Sequence, residues 1–483
     1  MNKATLKYDR RYVGTKESLA FGIANGGQVM SFSLITSYLT YFFVNVFNID
    51  PKIVAGMLFV EGIWDTVNDP LMGTVVDRTR TRYGKLRPYL LGVPLPMAIS
   101  VFFFFLGPLI ITNPSPRAPI KIIYMTVTYF LWEFLYTVSD VPFWGMAAAI
   151  SPNPADRTRT ITSARFISGI VGSIPGILMP ILIDLSNGGT LNVNLKNLFF
   201  ICGLSFGVIG MGLFLLSGLF AKERVAQSLE EPKLLESYRC ITKNPPLKLI
   251  ILQNILGALG GIGGIFSTYY FIDVLGSASA ALVIGIPGAV VSLFSFAFIG
   301  KVKKHFNNKQ IVIGSKLIND ALNILMFFIA IKRYSDIKFM IPLLMLKNTL
   351  SAVFSGVNSV IPTEMIADTV DYMEWSTGQR SEGMSFSVLT LIGKFNGAVS
   401  RSVGSLLVSL IGYQTSQTHA IIPQTQAVKF RIFAMYTIIP TLLGLFSIIP
   451  MFFYDLVGDK HQRILEELAL RREEISNLSG TSE

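Results

Sequence analysis

The residues of this chain best equipped for chemistry are a few acids set in otherwise apolar runs. The run IVAGMLFVEGIWDTVNDPLMGTVV carries Asp65 and Asp69 near its middle. A four-residue spacing puts both carboxylates on one face of a helix, one turn apart, with Asn68 adding a neutral oxygen on almost the same face. Two such carboxylates repel unless a positive charge lies between them or one keeps its proton. Pro70 frees a backbone carbonyl one turn earlier, a further oxygen for a cation. The alternative is a structural ion pair with a basic residue elsewhere. The run YFLWEFLYTVSDVPFWGMAAA carries Asp140, closely followed by a proline, with Thr137 one turn before it and Trp144 one turn after. A hydroxyl and a carboxylate suit a hard cation such as Na⁺, which takes oxygen ligands as Ca²⁺ and Mg²⁺ do. The indole of Trp144 either offers a flat surface to a sugar ring or belongs to an interfacial aromatic belt.

Other polar groups sit in apolar surroundings. Lys394, in VLTLIGKFNGAVSRSVGSLLV, lies too deep to snorkel easily and calls for an acid partner, with Asp65, Asp69 and Asp140 available. Gln28 is the principal long polar side chain of the glycine-rich start FGIANGGQVMSFS, and Arg165 either snorkels or faces a cavity. Glu61, Glu133, Lys316, Asp320, Lys347 and Arg401 take no assignment from sequence, being open to structural pairing or interfacial placement. His305, His419 and His461 fall in loops or the tail, so a histidine proton relay is not indicated. Phosphate-loop, zinc and Ser/His/Asp patterns are absent, and Cys202 and Cys240 form no redox or metal motif.

The elements that must position these residues are membrane spans. The chain has 483 residues, 51% hydrophobic and only 15% charged, against about 25% charged in soluble domains. Its mean hydropathy of +0.52 excludes a soluble enzyme. Apolar runs fall near 20–43, 53–76, 89–112, 119–147, 163–185 and 198–220, then near 248–272, 280–300, 310–331, 339–366, 384–413 and 431–455. The expectation is an all-α membrane protein with twelve transmembrane helices in two pseudo-symmetric halves. Its parts are an N-terminus 1–19, a first half 20–220, a linker 221–247, a second half 248–455 and a tail 456–483. The net charge of +11 sits largely in loops such as DRTRTRYGKLRP. There it sets topology instead of binding nucleic acid, and it places both termini in the cytoplasm. A glycine-started basic loop after the second span of each half, at Gly73 and Gly300, suggests an internal repeat of the kind that builds secondary transporters.

Three segments, IWDTVNDPLMG with DRTRTRYGKLRP, TYFLWEFLYTVSDVPFW and ADTVDYMEWSTGQRSEGMSFSVLTLIGK, resemble the glycoside–pentoside–hexuronide:cation symporter family, which includes the melibiose permease and has the major facilitator fold. The resemblance implies a cation site at Asp65, Asp69 and Asp140 with Asn68 and Thr137 nearby, and Lys394 close to those acids. It makes Trp144 and Arg165 sugar-facing, beside Gln28 and Asp140. It also makes the segment of Asp368, Asp371 and Arg380 part of an inside gate. One departure stands out. Melibiose permease-like members carry an acid in the first span, and that place falls here at Val29, beside Gln28, with no carboxylate in the run.

The expected protein is therefore a plasma-membrane symporter and not an enzyme. It would couple Na⁺, H⁺ or Li⁺ entry to uptake of a glycoside, pentoside or hexuronide, without a resident cofactor, as a monomer in the bilayer. Rival readings are a cation-coupled lysolipid transporter, an intramembrane hydrolase using paired acids, and a channel.

Overall fold

The computed structural model describes residues 11–224, 244–377, 382–414 and 423–480. Cys240, His419 and Arg380 lie outside them. Among the described residues there is no β-strand, only one bridge between Thr81 and Gly84. Seven helical stretches there are long and apolar enough to cross a bilayer, and Pro94–Ile110 and Ala280–Phe296 are shorter apolar helices. The chain is a multi-pass membrane protein.

Two compact units divide the chain. The first takes Met1–Glu230, Ser277–Ser279 and Ser405–Gln424; the second takes Glu231–Gly276, Ala280–Gly404 and Thr425–Glu483. Ser277–Ser279 join the first unit through Asp184, whose carboxylate accepts from the Ala278 N–H at 2.7 Å and the Ser279 N–H at 2.9 Å.

In the first unit the helices are α1 (Thr15–Tyr41), α2 (Pro51–Arg78), α3 (Arg87–Gly92), α4 (Pro94–Ile110), α5 (Pro119–Ala149), α6 (Pro154–Gly172), α7 (Ile174–Asn187) and α8 (Leu195–Phe220). The expected third and fifth spans are each broken once. The breaks fall at Val93, ahead of Pro94, and at Ser173, ahead of Pro175. A proline lacks the N–H that would continue the ladder and disfavours helix in the residue before it. α6 also begins nine residues earlier than the apolar run it contains. Its polar first turns extend beyond what hydropathy can detect, and Asp156 there accepts from the backbone N–H groups of Tyr12 and Val13 at 3.0 and 2.9 Å.

Small residues set the position of α1. At Gly27 the helix meets α8 so closely that an added Cβ would stand 2.3 Å from the Gly210 carbonyl oxygen. The converse substitution at Gly210 would stand 2.5 Å from the carbonyl oxygen of Gly27. Such close approach of backbones is what small residues allow in membrane helices. Aromatic rings then fix α5: Phe143 stacks on Phe21 of α1 at 4.2 Å and touches Phe214 of α8, while Tyr136 stacks on Phe32 of α1 at 4.5 Å. α5 is thereby held against α1 along two turns, and the polar face of α5 is fixed with it.

The second unit contains α9 (Pro245–Gly257), α10 (Ile262–Tyr269), α11 (Ala280–Lys303), α12 (Asn308–Ala330), α13 (Ile337–Ala352), α14 (Ser355–Thr377), α15 (Glu382–Leu410), α16 (Gln426–Tyr436), α17 (Ile438–Leu445), α18 (Ile449–Phe452) and α19 (Gly458–Gly480). The sequence reading treats the tail only as a basic extension, whereas residues 458–480 form a helix docked on α14. Ile464 and Leu468, one turn apart, enter an apolar cluster with Met365 and Ile366. Trp375 Nε1 donates to Glu467 at 2.6 Å, and His461 lies 3.4 Å from Asp368. Asp368 therefore belongs to a packed joint between α14 and the tail.

The basic loop after α2 owes its shape to one acid. The Glu223 carboxylate accepts from the N–H groups of Lys85, Leu86 and Arg87 at 2.9, 2.8 and 3.0 Å, supplying the N-terminal cap that α3 lacks from its own side chains. Gly84, at φ 111°, makes room, since a Cβ there would stand 2.4 Å from Glu223 Oε1. Glu223→Ala and Gly84→Ala should each destabilise the protein by about 1–2 kcal/mol, the scale of a lost helix cap. Both should lower the melting temperature of the detergent-purified protein, and Glu223→Gln should do so less than Glu223→Ala. Unchanged melting in both alanine variants would refute this role.

Candidate functional site

α2 and α5 pack together in the first unit, and each carries polar residues on one face. The Thr137 hydroxyl of α5 donates to Asp69 Oδ1 of α2 at 3.2 Å. One turn along α5, the Gln28 amide of α1 donates to Asp140 Oδ1 at 3.2 Å and to the Ser139 hydroxyl at 3.0 Å. One turn further, the Arg165 guanidinium of α6 lies over the Trp144 ring, its carbon 4.1 Å from the centroid. Thr137, Asp140 and Trp144 thus form a row along α5, and a different helix engages each of them. Gln28 is buried at 1% exposure, Asp140 and Trp144 are half-buried, and Arg165 is exposed.

The structure adds two acids that sequence reasoning leaves unassigned. Carboxylate oxygens of Glu61, Asp65 and Glu133 lie within 4.8 Å of one another, and all three residues are buried. Two unit charges at that separation repel by about 3.5 kcal/mol at an effective dielectric constant of 20. The group therefore needs compensating positive charge or shared protons. The sequence signal is present in the spacing. Glu61, Asp65 and Asp69 recur every four residues on α2, and Glu133 and Thr137 do so on α5, so each helix carries an unbroken polar stripe. Asn68, 2% exposed, leaves its Nδ2 without a hydrogen-bond partner among the described residues. Turned over, the same amide presents its oxygen at that place.

These contacts join Asp69 to Thr137, Gln28 to Asp140 and Arg165 to Trp144, and Asp65 lies beside two further acids. Lys394 lies on α15, in the second unit. Val29, where related sequences place an acid, turns to α6: a Cβ added to Gly172 would stand 2.4 Å from its Cγ1. Gln28 is thus the polar side chain that α1 directs to the row on α5. Chemically, the arrangement offers buried oxygens suited to a hard cation, next to an indole and a guanidinium suited to a polar ring.

A family model described as MFS/sugar transport protein matches residues 20–458. An isoprimeverose transporter of Lactiplantibacillus pentosus is 26% identical over 95% of this chain and 94% of its own length. A glucuronide carrier protein homolog of Escherichia coli (strain K12) is 24% identical over 94% of this chain and 95% of its own. Among solved structures, a D-xylose–proton symporter superposes with a TM-score of 0.60 at 12% identity, covering 92% of this chain and 98% of that one. The nucleoside transporter NupG gives 0.57 at 16% identity, covering 91% and 100%. These structural likenesses establish the fold, and the relatives are transporters, not enzymes. With its acids on α2 and α5 inside a multi-helix membrane fold, the chain belongs to the MFS/sugar transport protein family.

Proposed function

We propose that this protein is a symporter that takes up a glycoside or related sugar, a pentoside or hexuronide among them, with entry of Na⁺, H⁺ or Li⁺. It would do so through twelve spans in two halves, with both termini in the cytoplasm and as a monomer. The observation that carries this reading is the meeting of the acidic stripe of α2 with the polar stripe of α5. In it, Asp65, Asp69 and Asp140 hold the cation with help from Asn68 and Thr137, and Glu61 and Glu133 extend the acidic surface around Asp65. Gln28, Asp140, Trp144 and Arg165 hold the sugar. Lys394 compensates the acids when the cation is absent.

The mechanism follows from charge. An arriving cation relieves repulsion among the carboxylates and leaves Asp140 in a settled geometry for sugar hydroxyls, while sugar bound at Asp140 reciprocally tightens the cation site. Trp144 covers the apolar face of the ring, and Arg165, stacked above the indole, keeps donors free for hydroxyl oxygens. Rocking of the halves would then expose the loaded site to the other side. No resident cofactor is required, because the cation is cargo.

Asp65→Asn and Asp69→Asn should each collapse cation-driven accumulation in proteoliposomes while preserving measurable downhill sugar exchange. Full accumulation under an imposed Na⁺ or H⁺ gradient in both variants would remove these residues from the cation site. Trp144→Ala should weaken sugar binding by roughly twofold to thirtyfold, matching a ring contact of about 0.5–2 kcal/mol, with cation affinity little changed. Collapse of cation affinity at constant sugar affinity would contradict the assignment. Lys394→Val should impair transport, and a second neutralisation at Asp65, Asp69 or Asp140 should restore sugar exchange in part. A double-mutant cycle reads this coupling directly, and additive losses for all three pairs would mean that Lys394 serves another partner.

A further inference from the structure

The second unit holds ionisable residues that the reading above leaves unused. On α12 the Lys316 ammonium donates to both Asp320 oxygens, at 2.7 and 2.5 Å. The two residues form a pair of zero net charge. Lys347, on α13, lies ten residues from the start of its helix at Ile337, roughly 15 Å along the axis at 1.5 Å per residue. The hydrocarbon core is about 30 Å thick, so this ammonium stands near mid-depth. No ion pair reaches it among the described residues.

Lys347 lines a cavity of about 400 Å³ within the second unit, together with the Lys316–Asp320 pair, Asn319, Asn323 and Thr441. Asp320 is the one acid among the residues that line it. Glycine supplies part of the room: at Gly264 of α10, in the same wall, an added Cβ would meet no neighbouring atom within 4 Å. The hydrogen-bond donors of the wall can be followed one by one. The Lys316 ammonium is taken by Asp320. The Thr441 hydroxyl donates to the Thr437 carbonyl at 2.7 Å, and the Thr437 hydroxyl to the Phe433 carbonyl at 2.6 Å. Asn319 spends one amide hydrogen on the Ser315 carbonyl at 2.9 Å. The donors left uncommitted among the described residues include the Lys347 ammonium, the Asn323 amide and the second amide hydrogen of Asn319.

We infer that this cavity is a site for a small monovalent inorganic or one-carbon anion, such as chloride or formate, with Lys347 as its charged anchor and the Asn323 amide as a second donor. An ammonium at this depth pairs with a negative charge, draws in water or gives up its proton, and the cavity leaves room for the first. Charge sets the valence. The Lys316–Asp320 pair contributes zero and Lys347 one positive charge, so a monoanion brings the wall to neutrality. A dianion would leave an excess negative charge, and a neutral ligand would leave the ammonium uncompensated. The uncommitted groups are donors, and a charged acceptor takes the strongest hydrogen bonds from such groups. The site shares no residue with the cation and sugar assignments in the first unit, so those assignments and this one stand or fall separately.

The test uses the full-length protein in detergent, without sugar. Sodium chloride, or in a parallel arm sodium formate, replaces the sodium salt of a bulky morpholinoethanesulfonate buffer anion at constant sodium concentration and ionic strength. A ligand that binds the folded state alone raises its stability by mass action, so the wild-type melting temperature should rise by at least about 2 °C and saturate. Chlorine NMR should show line broadening by the wild-type protein in excess of that by Lys347→Met. Lys347→Met should lose the thermal response, and Lys347→Arg, which keeps the charge, should retain it. Gly264→Leu leaves every charge in place but fills the cavity, and it should lose the response as well; it decides should Lys347→Met fail to fold. A response to chloride alone makes the occupant a halide, and a response to formate alone makes it a small carboxylate. No saturable response to either anion in wild type would mean that Lys347 sheds its proton or is hydrated instead, and would overturn the inference. A response that survives both Lys347→Met and Gly264→Leu would overturn it equally, by placing the anion elsewhere.

Discussion

Charge held at bilayer depth costs roughly 2.5–3.5 kcal/mol per residue on insertion scales, and this fold is arranged around that cost. α2 carries Glu61, Asp65 and Asp69 within nine residues, and none of them can be left facing lipid. Their stripe turns to α5, which answers with Thr137 and with further acids at Glu133 and Asp140. The donors therefore matter as much as the acids. Gln28 reaches Asp140 from α1, whose position against α8 is set where Gly27 and Gly210 let two backbones nearly touch. A packing feature with no chemistry of its own thus sets the geometry of the polar row.

Much of this was legible in the sequence, because the signals were strong and local. Acids in apolar runs are rare enough to be conspicuous, and a spacing of three or four places side chains on one face without knowledge of the tertiary fold. That is why Asp65 and Asp69 on α2, and Thr137, Asp140 and Trp144 on α5, can be placed on shared faces from the sequence alone. Glu61 and Glu133 were equally visible but lacked a partner in sequence. Their proximity depends on how α2 packs on α5, which no local pattern encodes. Glu223 was less legible still, since its three backbone donors lie more than 130 residues away. The docking of the tail helix on α14 was hidden for a different reason: two apolar residues, Ile464 and Leu468, in a charged segment fall below any hydropathy threshold.

Asp140 is where the proposed cation and sugar sites would meet. Thr137, one turn before it, touches the acid of α2, and Trp144, one turn after it, lies beneath the Arg165 guanidinium. Its own carboxylate is already held by Gln28 from a third helix. A carboxylate has four lone-pair sites for acceptance, so a cation and a sugar hydroxyl can both engage it without displacing the amide. Coupling free energies between sites are typically about 1–3 kcal/mol, and a hydrogen bond to a charged group contributes about 1.5–3 kcal/mol. One shared carboxylate is therefore sufficient to link the two ligands. No larger rearrangement need be invoked for binding itself, and conformational change is left with the separate task of exposing the loaded site to the other side.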